Sequence, residues 1–102
     1  MQTGQERSKL LPDVPTATEA GFSDLTFTAW FAMAAPANTP PEVVRRLNAG
    51  MVATLKDPEV IRKLEGAGFQ PVGSSPDQMK TLLGNELNRW RPLIERAGIR
   101  AN

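Results

Sequence analysis

Residues 25–51, LTFTAWFAMAAPANTPPEVVRRLNAGM, constrain this chain more than any other stretch. Leu25, Phe27, Ala29, Phe31 and Met33 alternate with Thr26, Thr28, Trp30 and Ala32, a period of two that predicts a strand. Its second face is too weakly polar to be solvated, which places the strand between two layers. Pro36, followed by Ala37 and Asn38, ends the run because proline has no N–H to give to a ladder. Thr39-Pro40-Pro41-Glu42 then reads as a helix start. The Thr39 hydroxyl can accept from a first-turn N–H, Glu42 can reach back to the Thr39 N–H, and a first-turn proline sacrifices no intrahelical bond. In the helix that follows, Val44, Leu47, Met51 and Leu55 make one apolar stripe, with Arg45, Arg46 and Asn48 on the other side.

The flanking sequence repeats this grammar. Residues 1–9 are polar and are expected to fray, and Pro12 and Pro15 hold their predecessors extended. Thr16-Ala17-Thr18-Glu19 is another capping box, opening about one helical turn that Gly21 can close in the left-handed conformation. Asp57-Pro58-Glu59 starts a short helix with Val60, Ile61 and Leu64 facing inward and Gly66 or Gly68 as its stop. Residues 69–72 read as a short strand, confined to an edge by Pro71. Ser75-Pro76-Asp77-Gln78 caps the longest helix, whose stripe runs through Met79, Leu83, Leu87, Trp90, Ile94 and Ala97. Pro92 should bend it and Gly98 should end it.

The predicted order is short helix, strand, helix, helix, short strand, long helix: an α/β chain, helix-rich with few strands. Two strands make no self-sufficient sheet, so three amphipathic helices lack a surface to cover. The physics therefore predicts a piece of something larger, or a chain that pairs with another copy. With 102 residues there is room for one domain at most. The sequence has no histidine and no cysteine, which removes the commonest general base, the commonest metal ligands and any thiolate. A formal charge of +1 argues against a nucleic-acid protein. No run approaches the roughly 18 apolar residues of a membrane span, and residues 1–8 lack the apolar core of a signal peptide.

Several motifs, in order, carry a resemblance: PDVPTATEAGF, then WFAMAAPANTPPEVVRRLN, LKDPEV, GFQPVGSSP and ELNRWRPLIERAGI. From about Arg7 to Arg100 the chain resembles the Bug family of extracytoplasmic solute receptors, the TctC-type binding proteins of tripartite tricarboxylate transporters. The resemblance implies the C-terminal portion of a two-lobed, type II-like periplasmic-binding-protein fold. On it, residues 1–24 are a remnant of the second lobe with a polar N-terminal tail. Residues 25–102 are a crossover strand (25–35) and the C-terminal helices of the first lobe. Full-length members are implied to be periplasmic, to hold small carboxylates or related metabolites in the interlobe cleft, and to deliver them to membrane permease subunits without catalysis.

The resemblance places Thr28, Ala29, Trp30 and Phe31 near that cleft. The Thr28 hydroxyl and the local backbone N–H groups could meet a carboxylate, with Trp30 walling the pocket. Against this stands packing of Trp30 and Phe31 in the core or at the lobe interface, the usual fate of large aromatic residues in strands. Thr16, Thr39 and Ser75 could each present a helix N-terminus to an anion, but capping is the simpler role. Arg89, Arg91, Arg96 and Arg100 read as a solvated face, and Trp90 as core. No arrangement of Ser, Thr, Lys, Asp or Glu suggests an enzyme, and no metal or cofactor is expected. The rival to a solute-binding fragment is a self-associating interaction module without a ligand, a homo-oligomer whose apolar faces cover one another.

Overall fold

The computed structural model describes residues 1–100, and these fall into two compact units, Met1–Met33 and a second beginning at Ala34. The elements are a short 3-10 turn (Ser23–Leu25) in the first unit, and α1 (Pro41–Thr54), α2 (Pro58–Gly66) and α3 (Pro76–Arg96) in the second. The chain is helix-rich, and no strand forms among the described residues. The α/β expectation is corrected to that extent. Residues 25–35 begin in the 3-10 turn and continue without a ladder, and residues 69–72 are likewise not a strand. The reason is that a strand is a relation between two segments, and alternation supplies only one of them.

In the first unit the tail expected to fray is tied down. Gln2 pairs with Thr16 in an isolated parallel bridge. Its backbone N–H donates to Pro15 O at 2.9 Å and its carbonyl accepts from Ala17 N at 2.7 Å. The Gln2 side chain spans the loop beside it: Nε2 donates to Leu11 O (3.0 Å) and Val14 O (2.6 Å), while Oε1 accepts from Ser8 N (2.9 Å). The Thr16–Glu19 capping box is made as expected. Thr16 N donates to Glu19 Oε2 at 2.7 Å and Glu19 N donates to Thr16 Oγ1 at 3.2 Å. The turn closes at Gly21, whose φ of +89° is the left-handed value that favours glycine. Phe22 N reaches Ala17 O at 2.8 Å and Gly21 N reaches Thr18 O at 3.0 Å, a Schellman closure. Thr16 and Ala17 are the buried residues among those described.

Arg7 locks this turn from outside. Its Nε donates to both Glu19 oxygens, at 3.1 and 2.9 Å, and its Nη1 to Pro12 O at 2.9 Å. The Arg7 hydrogen bond, and then the Thr16 N–H, hold the Glu19 carboxyl below its ordinary value.

The second unit shows which helix starts were sound. Asp57 Oδ1 accepts from Glu59 N (2.9 Å) and Val60 N (3.2 Å) to open α2. Ser75 and Gln78 form the full reciprocal box of α3, at 2.9 and 3.2 Å. Gly68 and Gly98 end these helices at φ +85° and +64°. The Thr39 box, in contrast, does not form. The Thr39 hydroxyl donates to Pro36 O at 2.8 Å, closing a turn with Asn38 at φ +67°, so it no longer faces the helix. Pro40 becomes the N-cap, without a side-chain bond, and Pro41 opens the helix.

The apolar stripes are also redistributed. On α1, Val44, Asn48, Val52 and Leu55 are half-buried, whereas Leu47 is 61% exposed. Asn48, expected on the solvated side, donates its Nδ2 to Ser74 O at 2.9 Å, joining α1 to the approach of α3. Gly73 lies over Val52 and Leu55 at φ +57°. On α2 the predicted inward residues Val60, Ile61 and Leu64 are half-buried. On α3, Met79 and Trp90 are half-buried, but Leu83, Leu87 and Ile94 remain exposed, so the continuous stripe is only partly covered. Trp90 is thus not the core residue expected. It lies under the Arg89 guanidinium, 5.1 Å from the ring centre, and its Nε1 donates to Glu86 Oε2 at 2.9 Å. Among the described residues no helix is long and apolar enough to cross a membrane.

Two outcomes follow from these contacts. Asp57→Ala and Ser75→Ala should each cost about 1 kcal/mol of helix stability, visible as lost far-ultraviolet helicity, while Thr39→Ala leaves α1 helicity unchanged. Because the folded turn favours ionised Glu19, its contribution is present above the unfolded glutamate's titration range. It fades as the pH falls below about 4 and is gone once the lowered folded value is passed. In a nuclear magnetic resonance titration the Thr16 amide shift should therefore move with an acidic midpoint below that of a free glutamate. Glu19→Gln should flatten that curve, and a midpoint at the ordinary value would show that the carboxylate is not engaged.

Candidate functional site

The four candidate residues, Thr28, Ala29, Trp30 and Phe31, lie on the stretch that leaves the first unit's turn network. Its root is fixed. Thr26 is extended, at φ −82° and ψ +110°, and its Oγ1 donates to Ser23 O at 3.1 Å. The same hydroxyl shares a 3.2 Å hydrogen bond with Thr18 Oγ1 on the capped turn. Phe27 N donates to Thr3 O at 2.9 Å. The Gln2 and Glu19 contacts that order the turn thereby also set where the candidate stretch begins.

Beyond that root the four side chains are exposed, Trp30 at 39% and Phe31 at 81%. The residues bring one hydroxyl and two aromatic surfaces to a single short stretch. That chemistry suits a small ligand held by the Thr28 hydroxyl and backbone N–H groups against an aromatic wall. The first unit's guanidinium, at Arg7, is committed to Glu19 and Pro12.

Of the three helix starts considered as anion sites, those at Thr16 and Ser75 are filled from within, while α1 begins at Pro40 without a side-chain cap. The Thr16 N–H is taken by Glu19, and Thr16 itself is 3% exposed. The Ser75 N–H is taken by Gln78. Arg89, Arg91, Arg96 and Arg100 are all exposed, in keeping with a solvated face. No group of three or more acidic, histidine or cysteine side chains among the described residues could hold a metal ion.

One feature of the second unit escaped the sequence reading. Val43, Arg46, Leu47, Gly50, Met51 and Thr54 line an open, largely apolar groove along α1. Grouping Leu47 and Met51 with Val44 and Leu55 merged two faces of the helix into one. The spacing 43, 47, 50, 51, 54 is itself a helical stripe, and Val43 with Gly50 was the signal for it.

Comparison with known proteins sets this geometry in context. The family model described as "Tripartite tricarboxylate transporter family receptor" matches residues 1–99. Protein BugT of Bordetella pertussis is 31% identical over 93 residues, covering 91% of this chain and 28% of that protein. A UPF0065 protein from the tcbD-tcbE intergenic region of a Pseudomonas species is 36% identical over 104 residues, covering 98% of this chain and 30% of its own length. A UPF0065 protein of Agrobacterium vitis, from the TAR-I ttuE-ttuC' intergenic region, is 34% identical over 99 residues, 94% of this chain and 29% of that protein. The chain thus spans under a third of the length of these three relatives. No solved structure matches it. With the family model covering nearly every residue, the chain belongs to the tripartite tricarboxylate transporter family of receptors.

Proposed function

We propose that this chain is the C-terminal part of a receptor that captures small carboxylates or related metabolites for a tripartite tricarboxylate transporter. The observation that carries this reading is the family match over residues 1–99, in a family of transporter receptors rather than enzymes. In this reading residues 1–24 close the second lobe, residues 25–102 cross to and complete the first, and the ligand meets Thr28, Ala29, Trp30 and Phe31. The receptor works in the periplasm and hands its ligand to membrane permease subunits. The exposure of Phe31, Met33, Leu47 and Val72, at 81, 78, 61 and 80%, supports it, since these side chains have the character of faces that a longer receptor would cover.

The same exposure favours a second reading, a homo-oligomer in which copies of the chain cover one another without a ligand. Sedimentation equilibrium separates the two. The receptor reading expects no defined dimer at micromolar concentration, whereas a discrete, saturable dimer supports self-association.

The ligand is tested in a receptor-length chimera in which this chain replaces the matching segment of BugT. Its melting temperature should rise with one or more members of a di- and tricarboxylate panel, and the isolated chain should show no such rise. Trp30→Ala and Thr28→Ala in the chimera should weaken binding of that carboxylate by about tenfold, near 1.4 kcal/mol. Unchanged affinity in both variants would remove residues 28–31 from the site, and a chimera that folds but responds to no carboxylate would overturn the ligand class.

A further inference from the structure

We draw no further inference here: the strongest candidate, the open apolar groove along α1 lined by Val43, Leu47, Gly50 and Met51, carries nothing because nothing in the structure shows what covers it.

Discussion

Hydrogen bonding at the ends of short elements is what this structure depends on, because burial contributes so little. An α-helix leaves four N–H and four C=O groups without intrahelical partners, and here those ends are met largely by adjacent residues. Asp57 and Ser75 satisfy the starts of α2 and α3, and glycines at 68 and 98 turn the chain so that Phe69 and Ile99 return to Leu64 and Ile94. Each device is worth about 1 kcal/mol or less. Together they specify where helices begin and end, but not how the helices assemble. Ion pairs add little to this. Lys63 and Glu59, 2.9 Å apart, are both mostly solvated, and such pairs contribute a few tenths of a kcal/mol.

The first unit applies the same logic across a longer stretch of chain. Gln2 uses backbone and side chain to hold residues 8, 11, 14, 15 and 17, so one polar residue replaces what apolar packing would otherwise do. Glu19 has a similar double role, accepting from Thr16 within the turn and from Arg7 outside it. These bonds shield the small buried pair Thr16 and Ala17 and fix the origin of the stretch that carries Trp30.

What could be read from the sequence was whatever depends on a few consecutive residues. The Asp57 and Ser75 caps, the Thr16–Glu19 box and the stops at Gly21 and Gly98 each need only three or four residues to agree, and each is present. Thr39 has the same local signature and fails because the turn at Pro36 competes for its hydroxyl, a competition the capping pattern does not encode. Gln2 was unreadable for another reason: its partners at Leu11 and Val14 lie 9 and 12 residues away, and nothing in a polar tail marks them. Asn48 was assigned to the solvated face by polarity, yet its amide finds a carbonyl 26 residues on. The strands failed most instructively. The alternation from Leu25 to Met33 is real, but pairing needs a second segment, and within the described residues Phe27 gains one bond to Thr3 and no ladder grows from it.

That last failure bears on the candidate site. Of the four residues there, their place on one stretch was legible from alternation and resemblance, while its exposure was not, since the alternation had placed it between two layers. In the proposed site a ligand would have to find Thr28 and Trp30 in a fixed arrangement, and ordering each backbone residue costs about 1–2 kcal/mol. At Thr26 and Phe27 that cost is already met by Ser23, Thr18 and Thr3. For residues 28–33 the same cost has to be met before any ligand contact there yields net affinity. Recognition in such a receptor would then be set less by the polar groups of Thr28 than by the completeness of the packing around Trp30 and Phe31. An aromatic wall left exposed to water neither excludes solvent nor strengthens a hydrogen bond beside it.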